Sequence, residues 1–95
     1  MTRARTLTPD ARRLGAIIAR LRMQRGWTIA RLARRAGMHA TYLGLVEKGE
    51  NLPSLTMLFE LAEVLGVEAA EIVRQLEAAR KPPPLAPPPQ AEPDP

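Results

Sequence analysis

The chain has 95 residues, 14 Lys and Arg against 10 Asp and Glu for a net charge of +4, and no Cys. That length holds one small domain, and the lack of Cys excludes disulfide frameworks and thiolate metal centres. No apolar run approaches the roughly 18 residues of a membrane span.

The basic charge is concentrated. Residues 1–46 carry ten Arg and a single acid, Asp10, whereas residues 47–95 carry four basic and nine acidic residues. A basic half of this kind suits a polyanionic partner, a solvated charged face being the plainer alternative. Arg3 and Arg5 open the chain, but no apolar segment of signal-peptide type follows them. The chain is therefore expected in the cytoplasm.

Residues 1–8 lack apolar periodicity and are expected to form a flexible basic arm. Thr8-Pro9-Asp10 is a helix start: Thr8 can cap, Pro9 suits the first helical position, and Asp10 complements the dipole. The first helix runs to about Arg25, with Leu14, Ile17, Ile18 and Leu21 at helical spacing. Gly26 stops it. Trp27 precedes Thr28, the expected N-cap of a second helix over Ile29–Ala36, and an apolar residue there packs back on the first turn. The capping box is incomplete, because Arg31 stands where Glu or Gln would close it.

Gly37 supplies the positive φ that a tight turn needs. Ala33 is small enough for a close helix crossing, and Met38 is expected to face the core. A third helix follows from about Ala40 to Lys48, with Leu43 and Val46 on its inner face. Two short helices joined this tightly form the bihelical unit that lays one helix in the major groove of DNA.

Glu50-Asn51-Leu52-Pro53 is a loop leading to Ser54, the expected cap of a fourth helix. That helix carries Leu55, Leu58, Leu61, Ala62 and Leu65 and stops at Gly66. A fifth runs from about Glu68 to Arg80, with Ile72, Val73 and Leu76 on one side. No period-two strand pattern occurs, so the fold class is all-α, with the globule spanning residues 9–81. Residues 82–95 hold eight Pro and are expected to be disordered or extended polyproline II. Such a tail can dock in an aromatic-lined groove of a protein partner; a solubilising tail without a partner is the plainer alternative.

Residues 10–76 resemble the phage-repressor-like helix-turn-helix family, also called the xenobiotic-response-element type. The resemblance rests on Leu21-Arg22, Gly26, Thr28, Leu32-Ala33, Ala36-Gly37, Tyr42, Glu47-Lys48-Gly49 and Leu61-Ala62-x-x-Leu65-Gly66-Val67, in this order and spacing. His39-Ala40-Thr41-Tyr42 is also similar to the small controller proteins of restriction–modification systems, which usually carry Arg at the position of Ala40.

The resemblance implies five helices and a homodimer. It also implies that the third helix lies in the major groove of a roughly palindromic operator, with half-sites about 34 Å apart or a multiple of that. The expected activity is transcription regulation, as a repressor or controller. By family position, His39, Ala40, Thr41, Gly44 and Leu45 face the bases. Thr41 can bond a base edge, and Ala40 and Leu45 can meet thymine methyls. No Arg, Asn or Gln stands in residues 39–46, so DNA shape has to share in recognition.

Phosphate contacts are expected from Thr28 at the start of the second helix, from Arg31, Arg34 and Arg35 on it, and from the Tyr42 hydroxyl, Lys48 and Asn51. Arg22 and Glu47 occupy positions that pair in the family and lock the first helix to the third. Val64, Val67, Ile72, Val73 and Leu76 exceed the needs of a small core and are expected to form the dimer interface.

No catalytic constellation is present. Glu60 with Glu63, and Glu68 with Glu71, are spacings of solvated helix faces. The single His cannot alone hold a metal, and no cofactor motif is found. The alternative to a DNA-binding regulator is a protein-interaction module on the same fold, such as an antitoxin or adaptor, favoured by the apolar Ala40, Gly44 and Leu45.

Overall fold

A computed structural model describes residues 8–80; the expected arm before Thr8 and the proline-rich tail lie outside the described residues. Five helices follow one another: α1 (Pro9–Gln24), α2 (Ile29–Ala36), α3 (Ala40–Glu47), α4 (Leu55–Leu65) and α5 (Ala69–Ala79). No strand occurs among the described residues. α1, α3 and α5 are shorter by a residue at one or both ends than the apolar spacing suggests, because Arg25, Lys48, Glu68 and Arg80 serve as caps.

Three N-caps are closed by hydroxyl side chains. Thr8 Oγ1 accepts from the Ala11 amide at 3.0 Å, Thr28 Oγ1 from Arg31 at 3.1 Å, and Ser54 Oγ from Met57 at 3.0 Å. Each satisfies an amide that the helix leaves unpaired and contributes about 1 kcal/mol. α2 ends at Gly37, which adopts φ 72°, and the Met38 amide then returns to the Ala33 carbonyl at 2.9 Å. That paired closure reverses the chain within a few residues and brings α3 back over α2.

The apolar stripes meet in one core. Ile18 from α1, Leu32 from α2, Leu43 and Val46 from α3, Leu61 and Leu65 from α4, and Ile72 from α5 are its largest fully buried side chains. Full burial of such a side chain contributes about 1.5–3 kcal/mol. α1 packs on α3 and α5, α2 on α3 and α4, and α4 on α5. The helix-turn-helix pair is therefore held from behind by the other three helices.

Gly15 sits in the middle of α1, where Gly costs about 1 kcal/mol relative to Ala. It is retained by a close approach: a Cβ there would meet the carbonyl oxygen of Val46 and stand 2.6 Å from that of Glu47. The C-terminal end of α3 thus rests directly on the α1 backbone.

Two side chains exchange the places expected of them. Ile72, expected at a dimer interface, has 0% exposure and belongs to the protomer's own core. Leu55, expected on the buried stripe of α4, is 65% exposed. Phe59 and Val73 stand beside it in solvent, and together they line an open apolar groove between α4 and α5.

Candidate nucleic-acid interface

The interface is framed by one arginine. Arg22, in the last turn of α1, donates from Nε to Glu47 Oε2 at 2.8 Å and from Nη2 to Glu47 Oε1 at 3.0 Å. Its Nη1 donates to the Trp27 carbonyl at 2.7 Å. The Arg22 and Glu47 side chains are only 13% and 7% exposed. The hydrogen bond to Glu47 raises the Arg22 pKa above its ordinary value, against the opposing effect of burial, and the Glu47 charge adds to the rise. One guanidinium so fastens the entry to α2 and the exit of α3 to the same turn of α1. The lock expected from sequence is present, with the Trp27 carbonyl as an additional acceptor.

α3 divides by face. Leu43 and Val46 are buried and Tyr42 is half-buried, packed against the core. His39, Ala40 and Thr41 are exposed, and Gly44 and Leu45 are partly so. Spacings of three and four bring these outward residues onto neighbouring turns. A Cβ at Gly44 would meet nothing within 4 Å, so the surface there is open. His39 holds the N-cap position, but its side chain makes no capping bond.

The cationic residues gather on α2. Gly26, Thr28, Arg31, Arg34 and Arg35 line one open depression. Thr28 Oγ1 is occupied in capping, so an anion would meet the amides of the helix start and the guanidinium groups. Beyond the end of α3, Lys48 is exposed and Asn51 half-buried. Arg31, Arg34, Arg35 and Lys48 have no ion-pair partner among the described residues.

The centre of this cluster is not among the residues expected from sequence. The Trp27 ring has three guanidinium carbons near it: Arg35 at 5.0 Å from the centroid, Arg25 at 5.5 Å and Arg31 at 5.9 Å. The signal for it is the spacing of Trp27, Arg31 and Arg35, four residues apart. Arg25 is also fixed elsewhere, its Nε donating to the Leu65 carbonyl at the end of α4 at 2.9 Å.

Of the residues expected at a dimer interface, Val64, Val67 and Leu76 are half-buried against the protomer's core and Ile72 is fully inside it; Val73, 47% exposed, faces the α4–α5 groove.

An all-helical domain with a tight bihelical unit, locked from behind and basic on its first helix, defines the helix-turn-helix class of transcription regulators. The chain belongs to the helix-turn-helix family, which matches residues 18–72. It is 40% identical over 65 residues to the uncharacterized HTH-type transcriptional regulator y4dJ of Sinorhizobium fredii (strain NBRC 101917 / NGR234), covering 67% of this chain and 84% of that protein. Among solved structures it is similar to the restriction–modification controller protein C.AhdI from Aeromonas hydrophila, with a TM-score of 0.67 and 31% identity over 68% of this chain and 98% of that one. It is also similar to SinR, the master regulator for biofilm formation, solved in complex with DNA: TM-score 0.61 and 28% identity, over 63% of this chain and 97% of that one. The family is one of transcription regulators rather than of enzymes. No helix among the described residues is long and apolar enough to cross a membrane.

Proposed function

We propose that the chain binds a two-fold operator as a homodimer, with α3 in the major groove, and acts there as a repressor or controller of transcription. The observation that carries this is the division of α3. Its inner face and its C-terminal end are locked by core packing and by Arg22, while no outward side chain of residues 39–45 makes a hydrogen bond among the described residues. Thr41 would bond a base edge, Ala40 and Leu45 would touch thymine methyls, and His39 would lie at the groove margin. Arg31, Arg34, Arg35, Lys48, Asn51, Tyr42 and the amides after Thr28 would meet phosphates, which set register rather than sequence.

The α4–α5 groove supplies the dimer contact. Leu55, Phe59 and Val73 expose apolar surface there, and Arg74 and Glu77 stand at its margin. A two-fold contact is self-complementary, so Arg74 of one copy can approach Glu77 of the other. The small core of each protomer would gain stability from the burial.

Selection of bound duplexes from a random library tests the assignment, with Thr41→Ala and Leu45→Ala run in parallel. A symmetric motif that either substitution degrades is the expected result. Recovery of no motif by the unsubstituted protein would favour a protein-interaction module, the use that the apolar Ala40, Gly44 and Leu45 surface also suits.

A further inference from the structure

We propose that Trp27 is a positioning residue: its ring holds Arg31 and Arg35 in the orientation in which they meet the DNA backbone. The inference rests on the DNA-binding function proposed above. It starts from the placement of the ring. Trp27 is half-buried and packed against the core, and its carbonyl is held by Arg22 at 2.7 Å. The ring therefore shares its anchor with the C-terminal end of α3, which the same guanidinium holds through Glu47.

The second observation is the charge around the ring. Arg35, Arg25 and Arg31 place their guanidinium carbons 5.0, 5.5 and 5.9 Å from its centroid, and no carboxylate pairs with any of the three among the described residues. Arg25 is committed to the Leu65 carbonyl, whereas Arg31 and Arg35 are exposed and make no other side-chain bond among the described residues. Convergence of like charges is unfavourable unless something else holds them, and the negative face of the indole does so. The result is a pre-ordered cationic pair beside the open depression at the start of α2. Long side chains already restricted lose less freedom when they engage a phosphate, and the approaching anion relieves their mutual repulsion. A tryptophan that only filled space would contribute to folding and leave the arginines independent of it.

A double-mutant cycle on a non-operator 30-base-pair duplex separates the two roles, because phosphate contacts do not depend on base sequence. Trp27→Leu and Arg35→Ala should each weaken binding by roughly 3–10-fold, and the double variant should lose clearly less than the product of the two single losses. Trp27→Phe retains a ring face and should recover most of the loss. Additive effects, or a Trp27→Leu protein that binds like the parent, would overturn the positioning role. If Trp27→Leu does not fold, emission of this sole Trp decides the matter. The duplex should change Trp27 emission in the parent and not in the Arg31→Ala/Arg35→Ala protein, whose ring is untouched. An identical response in both would overturn the inference. Failure of the parent to bind any duplex would overturn the DNA-binding function along with it, whereas binding with additive losses overturns the positioning role alone.

Discussion

Gly15 of α1 touches the backbone of Glu47 at the end of α3, close enough that a Cβ would stand 2.6 Å from the Glu47 carbonyl oxygen. Gly15→Ala therefore sets two effects against each other. Alanine gains about 1 kcal/mol of helix propensity, but the carbonyls of Val46 and Glu47 belong to backbone and must move. Overpacking of this kind costs about 1–3 kcal/mol, and a rigid neighbour places it at the upper end. The expected net effect is destabilisation, read as a lower urea midpoint. The same substitution at Gly44 meets open space and should stabilise the fold by up to about 1 kcal/mol. Equal midpoints for the two variants would contradict this close approach.

Removing one member of the Arg22–Glu47 pair strands the other. Glu47→Ala leaves a guanidinium that is 13% exposed with a single carbonyl partner, and the expected loss is about 3 kcal/mol, the lower end for broken buried pairs. Glu47→Gln keeps an acceptor oxygen and should cost less. Because the folded-state pKa of Arg22 is raised, its contribution is complete below its ordinary value. It disappears only as pH rises through the raised one, far into alkali. Chemical denaturation of both variants at neutral pH measures the difference.

Phe59→Lys should dissociate the proposed dimer and leave the protomer folded, since Phe59 is 54% exposed in the α4–α5 groove. The expected weakening is at least about tenfold, which corresponds to 1.4 kcal/mol. Ile72→Lys should instead unfold the protomer, because Ile72 has no exposure to lose. Sedimentation equilibrium with circular dichroism distinguishes the two, and an undisturbed dimer in Phe59→Lys would show that the groove does not hold the two copies together.

Six to ten phosphate contacts per dimer would cost operator affinity about a thousandfold or more between 50 and 200 mM salt. Lys48→Ala and Arg34→Ala should each flatten the logarithmic salt slope, by about one for every phosphate left without its cation, while the preferred sequence stays the same. A parent protein whose affinity ignores salt would exclude this electrostatic component.

The local features of the fold are legible in the sequence because they depend on near neighbours along the chain. Thr8, Thr28 and Ser54 cap the helices they precede, and Gly37 turns the chain where it should. The division between Ile72 and Val73 is not legible. Adjacent residues on a helix lie about 100° apart, so both border the apolar stripe, and only the docking of α5 on α1 and α4 decides which one enters the core. Leu55 follows the same logic at the first turn of α4. Gly15 gives no signal, because its reason lies in α3, across the fold. For the interface, the Arg22–Glu47 pair is visible through family position. The arginines around Trp27 are not, since an apolar ring before a helix cap reads as packing alone.

The lock at Arg22 has an evolutionary consequence. The side chains that set the angle of α3 lie on α1, on the inner face of α3 and before α2, whereas those of His39, Thr41 and Leu45 make no hydrogen bond among the described residues. On the proposed function, mutations at those outward positions would change which duplex is preferred while the chain continues to fold. Operator choice would then be free to drift and be reselected after gene duplication, and two paralogues could diverge in target without either passing through an unfolded ancestor.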